Sequence, residues 1–354
     1  MRVVQLNPFH FPYMGGIEHR VHEVCHRLAD RHEMIVLTAQ LPGTAAEEEM
    51  DGYRVVRLPS RFINFYNPPY VSTKGVLEAL ENLRPDVVDF HYRWAPSYTQ
   101  AMRRYRGRWV FTFHNTYGEG NGPMRAMSIL NDASFCRYIR DRHVICITQF
   151  VKRDLISRGF KEELLDVIPP GIDTVQKEGG EEDYLLYLGR LVPTKGLEHL
   201  IKAMHEVDGR LIIAGDGPSR ARLEKAVRSD GVSDRIEILG RVDEETKVRL
   251  LANCKVFVMP SLFESYGLAA AEAMSYSKPV VASQVGGLPE VVGDGGILVP
   301  PRDPAALARA LNSLLSDDDR RKELGARAAE HIKGYSWANV ARDNEALYRK
   351  VIGE

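Results

Sequence analysis

The sequence predicts an α/β protein made of two Rossmann-like, doubly wound domains, each a parallel sheet covered by helices. Short apolar runs alternate with amphipathic stretches along the chain, which is typical of buried parallel strands and their covering helices. The chain has 354 residues, and single domains cluster near roughly 100 to 200 residues, so two are expected. Open α/β sheets bind ligands beyond the carboxyl ends of their strands, so we expect the domains to face a central cleft.

Strands and helices are predicted in alternation in both halves of the chain. The predicted strands are RVVQL, MIVLT, YRVVRL, DVVDF, WVFTF, HVICI and LDVIP in the first half, and YLLYLG, RLIIAG, IEILG, VFVMP, PVVAS and GILVP in the second. The helices are predicted over 17–31, 73–83, 123–141, 149–158, 196–206, 219–229, 244–252, 267–275 and 304–315. The repeated order predicts the same architecture twice.

The joint between the domains is predicted in the segment IPPGIDTVQKEGGEED, where proline and glycine interrupt both periodicities. We place the boundary near residue 172, which gives domains over 1–172 and 173–335. The closing segment predicts two helices broken at Gly334. The last of them, at about 336–354, is in a position to pack back on the first domain.

Composition excludes several classes of protein. The hydrophobic content of 44% and charged content of 27% are typical of a soluble globular protein, and the net charge of -1 gives no global attraction to nucleic acid. The cysteines, at 25, 136, 146 and 254, form no CxxC pair and predict neither disulfides nor a metal site. With no basic and apolar leader and no long apolar run, we expect a cytoplasmic protein.

A glycine pair follows the first predicted strand. Gly15 and Gly16 stand directly before a helix, so their amides and the helix dipole favour an anion such as phosphate. The dinucleotide fingerprint GxGxxG is absent. A flexible turn with a glycine helix start is the alternative.

Two cations follow the first strand of the second half, in YLGRLVPTKG. Arg190 and Lys195 on this loop can converge on one diphosphate. A solvated loop is the alternative. The next strand ends in AGDGP, where Gly215 lies at the same predicted edge, although a good turn and helix start explain most of that segment.

The segment FESYGLAAAE carries two carboxylates around a predicted helix start. Glu264 lies in the loop, Ser265 and Tyr266 lead into the helix, and Glu272 lies more than a turn inside it. The amides of Gly267 and Leu268 then form an anion seat between two hydroxyl-accepting carboxylates. The alternative is two helix charges with nothing bound.

Three further segments carry weaker signals. His114 in TFHNT follows a first-domain strand, where a neutral imidazole can face a ligand, although most such histidines are ordinary packed residues. Gly286 and Gly287 in VGGLPE permit close backbone approach. The DDD segment at 317–319 is interpreted as helix capping, and no metal is predicted.

Taken in this order, the glycine pair, GR...TKG, AGDGP, PS..ESYGL...E and VGG.PE resemble the motifs of retaining glycosyltransferases of family 4, which have the GT-B fold. The resemblance covers nearly the whole chain. It implies a first domain on the acceptor side and a second domain that binds a nucleotide sugar, with no cofactor and no metal required. The implied reaction moves a hexosyl-type sugar to an acceptor hydroxyl.

The resemblance also implies roles for individual residues. Arg190 and Lys195 would neutralise the diphosphate of the donor, Glu264 would hold hydroxyls of the transferred sugar, and Glu272 would accept from the ribose hydroxyls. Phosphate would meet the amides near Gly267. The Leu268 amide would contact phosphate as well, and Gly15 and Gly16 would contact the diphosphate from the other domain. Gly215 would also be a donor-binding residue. His114 would lie near the transferred sugar. Ser265 and Tyr266 replace the usual Gly-Phe pair, so the identity of the sugar stays open.

Three other functions are alternatives to sugar transfer. A glycosidase would use Glu264 and Glu272 as acid and nucleophile, but this leaves Arg190, Lys195 and the glycine pair unexplained. A nucleotide-sugar epimerase on the same fold would release free nucleotide diphosphate without an acceptor. A binding protein without catalysis would bind donor with no turnover.

The one charge-biased region runs from residue 91 to residue 161. It holds 13 Lys and Arg against four Asp and Glu, and the segment MRRYRGRW mixes arginine with Tyr105 and Trp109. Together with an amphipathic helix in PMRAMSILNDASFCRYIRDR, this favours an anionic membrane surface and a lipid-linked or anionic glycan acceptor. A solvated face balanced by acids elsewhere is the alternative.

Overall fold

The computed structural model describes residues 1–63, 69–115, 122–173 and 180–354, and only the backbone of 122–127. These residues form two compact units. The first comprises Met1–Gly171 and Trp337–Glu354, and the second comprises Ile172–Ser336. The chain thus leaves the first unit after Gly171 and re-enters it at Trp337. Part of the predicted joint, 174–179, lies outside the described residues.

The first unit is built on an eight-stranded sheet with a separate two-stranded hairpin. All neighbours in the large sheet are parallel except β3, which is antiparallel to β4 at one edge. In spatial order the large sheet contains β10 (Leu165–Val167), β9 (Val144–Cys146), β8 (Trp109–Phe113), β7 (Val87–Phe90), β1 (Arg2–Leu6), β2 (Glu33–Ala39), β4 (Tyr53–Leu58) and β3 (Glu47–Met50), and the hairpin contains β5 (Ser60–Ile63) and β6 (Tyr70–Thr73).

Six helices among the described residues cover this sheet. They are α1 (Gly16–Leu28), α2 (Val76–Leu83), α3 (Pro96–Arg104), α4 (Gly122–Ile139), α5 (Gln149–Ser157) and α13 (Trp337–Ile352). The sequence analysis missed α3, β3 and the hairpin. Strand β3 reads Glu-Glu-Glu-Met, and half-exposed charges conceal an edge strand from any apolar pattern.

The second unit contains a six-stranded parallel sheet in the order β13, β12, β11, β14, β15, β16. Its strands are β11 (Leu185–Leu188), β12 (Leu211–Ala214), β13 (Ile236–Gly240), β14 (Val256–Met259), β15 (Val280–Ser283) and β16 (Gly296–Val299). Its helices are α6 (Leu197–Ala203), α7 (Arg220–Ser229), α8 (Glu244–Asn253), α9 (Leu268–Ser275), α10 (Leu288–Val292), α11 (Pro304–Leu315) and α12 (Asp318–Ile332). The predicted pair of doubly wound α/β domains is confirmed.

The strand order places a topological switch point in each sheet. Winding starts in one direction from β1 and resumes in the other from β7, and in the second unit it does the same at β11 and β14. Loops that follow adjacent strands at a switch point diverge to opposite faces and leave a crevice where ligands bind. We therefore expect ligand-binding residues to follow β1, β7, β11 and β14.

Helix α13 belongs to the core of the first unit. Its buried face, which includes Trp337, Val340, Leu347 and Tyr348, packs in one apolar cluster with residues of α1 and the sheet. The Trp337 indole lies against the backbone at Gly171, where an added Cβ would stand 2.4 Å from the ring. The last segment of the chain therefore completes the domain with which the chain begins.

We predict that Trp337→Ala lowers the free energy of unfolding of the first unit by about 3 kcal/mol or more, because it removes a buried aromatic side chain from a closed core. Denaturant unfolding followed by a first-unit probe measures the effect. Arg342→Ala, at an exposed position of the same helix, should change stability by less than about 0.5 kcal/mol. Equal effects of the two substitutions would show that α13 does not stabilise this unit.

Candidate active site

The two loops at the switch point of the second unit are bonded backbone to backbone. The amide of Leu262, after β14, donates to the carbonyl of Thr194, after β11, at 2.8 Å. Gly196 permits this approach, since it has a φ of +65° and its Cβ would stand 2.1 Å from the carbonyl oxygen of Pro260. The loops that carry Lys195 and Glu264 are thereby held together.

Lys195 and Glu264, predicted as separate donor contacts, form an ion pair. Lys195 Nζ lies 2.5 Å from Glu264 Oε2, with 18% and 14% of the respective side chains exposed. The Ser261 hydroxyl donates to the same carboxylate oxygen at 3.3 Å. A pair so shielded from water is held more firmly than a surface pair. The ion pair has a net charge of zero, so positive potential beyond the carboxyl ends of β11 and β14 must come from other groups.

The backbone of Glu264 is fixed from a third loop. The amide of Gly287, after β15, donates to the Glu264 carbonyl at 3.1 Å. Gly286 has a φ of +55°, and an added Cβ would lie 1.8 Å from that carbonyl oxygen. The VGG motif therefore acts on Glu264 by permitting close backbone contact.

The amino end of α9 lies immediately after Glu264. Gly267 caps the helix in a left-handed conformation, with a φ of +104°, and no side chain of the described residues caps it. The first amides of a helix have no partner within the helix and carry partial positive charge. Leu268 is the first helical residue, and Tyr266 is buried with its ring 6.5 Å from that of Tyr335. Helix α9 therefore begins where the sequence predicted, and the anion seat at its amino end stays a prediction.

Arg190 is exposed at the start of the β11 loop. Its carbonyl accepts a hydrogen bond from the Tyr187 hydroxyl at 3.0 Å. Gly215 supports the same loop, because a Cβ there would stand 1.9 Å from the Gly189 carbonyl oxygen. The structure thus assigns Gly215 a packing role and leaves Arg190 as an exposed cation beside the switch point.

Glu272 has a partner that the sequence analysis missed. On α9, its Oε1 lies 3.2 Å from Nζ of Lys247 on α8, which also lies 2.9 Å from Glu244. Burial by itself would lower the pKa of Lys247, but the two carboxylates raise it overall. No motif in the sequence connects residues 247 and 272, because only the packing of two helices brings them together.

In the first unit, Gly15 and Gly16 lie where they were predicted, at the amino end of α1. A Cβ added at Gly15 would stand 2.5 Å from Oε2 of Glu18, and Oε1 of the same carboxyl accepts from Asn7 Nδ2 at 3.1 Å. Burial raises the pKa of Glu18 to about 7, against the opposing effect of bonds from its own backbone amide and from Asn7. The sequence analysis missed this group, since Glu18 resembles an ordinary first-turn helix acid.

His114 follows β8 and lies beside His91, which follows β7. His91 Nδ1 and His114 Nε2 are 2.9 Å apart. Burial, the adjacent His91, Arg20 and Arg93 hold the pKa of His114 well below its usual value. The lowered pKa favours the neutral form of His114, and His91 is an addition from the structure.

Some basic side chains of residues 91–161 have partners in the structure, and others are exposed. Arg93 is buried and bonds Asp132 of α4 through two nitrogens, at 2.6 and 3.0 Å. Tyr105 and Trp109 are also buried, so their interpretation as membrane-facing aromatics is wrong. Exposed arginines remain at 103, 104, 106, 108, 137, 140, 142 and 153, and Leu130 is 73% exposed.

Two other kinds of site are absent from the described ranges. No three or more His, Cys, Asp or Glu side chains there are grouped so that they could hold a metal ion. No helix in the same ranges has the length and apolar character needed to cross a bilayer.

Comparison with known families divides the chain in two. Residues 14–176 match the family model described as Glycosyltransferase Family 4. Residues 172–331 match the model described as Glycosyl transferases group 1. The two matches together span nearly the whole chain.

Individual relatives agree with these matches. An uncharacterized glycosyltransferase of Methanocaldococcus jannaschii is 36% identical over 299 residues, which are 75% of either chain. A phosphatidylinositol N-acetylglucosaminyltransferase subunit of Arabidopsis thaliana is 26% identical over 99% of this chain and 82% of its own. Among solved structures, Anabaena HepE in complex with UDP and glucose has a TM-score of 0.80 at 20% identity, covering 99% of this chain and 100% of its own. These similarities confirm the GT-B fold.

We predict that Gly286→Ala destabilises the second unit by more than about 3 kcal/mol, because it adds a backbone clash to left-handed strain. Gly231→Ala is the matched control, since Gly231 has a φ of +69° with no atom within 4 Å of an added Cβ. Left-handed strain alone should cost about 1 kcal/mol. Denaturant unfolding compares the two variants, and equal losses would show that the Gly286 contact with Glu264 does not hold the loop.

Proposed function

This chain belongs to glycosyltransferase family 4, as its motifs predicted, and from that membership we propose that it transfers a hexosyl-type sugar from a nucleotide diphosphate sugar to an acceptor hydroxyl with retention of configuration. The observation that carries the proposal is the Lys195–Glu264 pair beside the amino end of α9, which no side chain of the described residues caps. A carboxylate, an ammonium and free helix amides meet there at the switch point of one sheet.

In this proposal the diphosphate of the donor binds between the β11 loop and the amino end of α9. The Lys195 ammonium has three hydrogens, so it can keep its bond to Glu264 and donate another to a phosphate oxygen. The Gly267 and Leu268 amides, at the positive end of the helix, serve the same anion. Arg190 supplies the net positive charge, which the neutral ion pair lacks.

The two glutamates then hold neutral parts of the donor. Glu264, fixed by Lys195, Ser261 and the Gly287 amide, accepts from hydroxyls of the transferred sugar. Glu272 accepts from the ribose hydroxyls, with Lys247 holding its carboxylate in place. The family motifs also imply that His114 lies near the transferred sugar, and the proposal includes that contact.

Transfer requires stabilisation of the leaving nucleoside diphosphate. Negative charge grows on the phosphate as the anomeric carbon becomes cationic, and cations and amides already in place stabilise that charge without reorganising. Exclusion of water from the site would protect the donor from hydrolysis. Retention by attack on the same face of the sugar is part of this proposal, and it is what the resemblance to the family implies.

The pairing of the glutamates disfavours a glycosidase. That chemistry needs two carboxyl groups facing one glycosidic bond, one of them a proton donor. Here Glu264 is bonded to Lys195, and Glu272 is bonded to Lys247. Each carboxylate is paired with its own lysine, and this arrangement suits the acceptance of hydrogen bonds from hydroxyl groups.

For the acceptor we propose a lipid-linked or otherwise anionic glycan precursor, reached from an anionic membrane surface. The exposed arginines that flank α3 and the exposed Leu130 of α4 give the first unit a basic surface with an apolar side chain. Several charges in this region form local ion pairs, including the half-buried Arg158 with Asp154 and the exposed Lys161 with Asp141, so the arginines near α3 carry the proposal.

We predict that Lys195→Ala and Glu264→Gln each lower turnover about 100-fold or more with the fold retained, because each removes a group that acts on the transferred sugar or the leaving phosphate. Transfer assays with UDP-, GDP- and ADP-sugars measure turnover, and thermal shift measures donor binding. Lys195→Ala should also abolish the thermal shift with nucleoside diphosphate alone.

Two substitutions at exposed positions of the same unit serve as controls. Lys202→Ala and Glu237→Gln remove the same side-chain types from α6 and β13, and both should keep full turnover. Near-normal turnover in both Lys195→Ala and Glu264→Gln would contradict the site assignment. Hydrolysis of a simple glycoside without nucleotide would contradict the transferase proposal.

We predict that the protein co-sediments with anionic vesicles at low salt and that Arg104→Glu with Arg106→Glu weakens binding at least about tenfold. Each basic residue near such a surface contributes about 1 kcal/mol. Lys225→Glu with Arg228→Glu on α7 makes the same change in net charge and should leave binding intact. Failure of the unmodified protein to co-sediment, or equal losses in both double variants, would contradict a membrane surface at α3.

A further inference from the structure

A row of buried polar side chains joins α13 to His114 inside the first unit. The Tyr348 hydroxyl donates to Asp89 Oδ2 at 2.7 Å, and Gln5 Nε2 donates to the Tyr348 oxygen at 2.9 Å. Gln5 Oε1 lies 2.6 Å from His91 Nε2, and His91 Nδ1 lies 2.9 Å from His114 Nε2. The row thus runs from a carboxylate through a tyrosine, an amide and one imidazole to a second imidazole.

The direction of every bond in this row follows from its first member. A carboxylate accepts and has no hydrogen to donate, so the Tyr348 hydroxyl must donate to Asp89. The tyrosine has then used its only hydrogen and can only accept from Gln5. The Gln5 amide nitrogen therefore faces Tyr348, and its carbonyl oxygen faces His91.

The same reasoning extends to both imidazoles. Because Gln5 presents an oxygen, His91 must carry its hydrogen on Nε2 and donate it. Asp89 Oδ1, 3.7 Å from the same nitrogen, favours that position as well. A neutral imidazole has one hydrogen, so His91 Nδ1 is an acceptor, and His114 must donate to it from Nε2.

We propose that His91 is a positioning residue that keeps the imidazole hydrogen of His114 on Nε2, and that Gln5 and Tyr348 set the direction of the row that does so. The inference rests on the proposed contact of His114 with the transferred sugar. Its consequence is that His114 offers an unprotonated Nδ1. This nitrogen accepts a hydrogen bond from a sugar hydroxyl and does not donate one.

Both imidazoles are neutral at neutral pH, which the row requires. Burial lowers the pKa of His91 to about 4, with Arg20 acting in the same direction and Asp89 against it. For His114 burial is again the main cause of a lowered pKa. A charged imidazole would have two donors and would break the sequence of single bonds.

The tautomer of His114 can be measured directly in the protein without substrate. In a sample labelled with ¹⁵N-histidine, the nitrogen shifts distinguish protonated from unprotonated ring nitrogens, and His114→Gln identifies the signals of His114. We expect the hydrogen on Nε2. A hydrogen on Nδ1 in the unmodified protein would overturn the proposal.

Two substitutions at residue 91 separate positioning from packing. His91→Asn keeps an oxygen acceptor near the position of Nδ1 and should preserve the Nε2–H form of His114. His91→Leu removes the acceptor and should shift His114 to a mixture of tautomers or to the Nδ1–H form. An unchanged tautomer in His91→Leu would overturn the proposal, and Tyr348→Phe, which removes one hydroxyl, provides a second perturbation if His91→Leu does not fold.

Thr112→Val is the matched control within the same network. The Thr112 hydroxyl donates to Asp89 Oδ1 at 2.7 Å, on the carboxylate oxygen away from Tyr348. It is equally buried and contacts the row only through Asp89. We expect Thr112→Val to leave the tautomer of His114 unchanged, and a change as large as that of His91→Leu would overturn the assignment to the row.

An activity measurement connects the row to transfer. His91→Leu should lower kcat about tenfold, the effect of one hydrogen bond, while affinity for nucleoside diphosphate alone is unchanged, and His91→Asn should recover most of the loss. The expected tautomers with unchanged kcat in His91→Leu would overturn the role of the row in transfer. No transfer by the unmodified protein would instead contradict the proposed function, whereas the tautomer measurement would still test the row.

Discussion

The close backbone approach of the β11 and β14 loops is the constraint on which the candidate active site depends. A carbonyl oxygen of Pro260 occupies the space where any side chain on residue 196 would begin. That contact places Lys195 against Glu264, and the same type of contact at Gly286 fixes the backbone of Glu264 from the other side. Glycine is needed at these positions because main chains must touch there. With their backbones fixed in this way, Lys195 and Glu264 can pair although their side chains have few conformations available.

Ion pairing changes what the charged residues of this site can do. A lysine beside a diphosphate is usually taken as a countercharge, but Lys195 is already neutralised by Glu264. In the proposed function Lys195 orients a carboxylate towards sugar hydroxyls and keeps hydrogens that it can donate to a phosphate. Glu272 and Lys247 repeat this arrangement on two helices. The site thus combines fixed dipoles with paired charges, and Arg190 is its exposed cation.

In the core of the first unit, buried polar side chains are likewise held by partners. Asp89, Gln5, His91 and Tyr348 are all buried, and each is hydrogen-bonded within one row. A buried polar network is stable only when its members are satisfied, and one that is satisfied has a defined direction. Because Tyr348 belongs to α13, the last helix of the chain is part of the polar row that ends at His114. The row therefore connects the packing of that helix to the imidazole of His114, which follows the carboxyl end of β8.

Local patterns in the sequence determined the fold class, the order of the parallel strands along the chain, and the segments that carry the site, because apolar periodicity and glycine positions are properties of neighbouring residues. They also indicated Arg190, Lys195, Glu264, Gly267 and Glu272 as site residues. Only the tertiary structure decided which residues are partners: Lys195 with Glu264, Lys247 with Glu272, and His91 with His114. It also revealed the buried Glu18 carboxyl and turned Tyr105 and Trp109 inward. Such contacts join residues far apart in the chain, and their geometry depends on sheet order and helix packing, which no local pattern encodes.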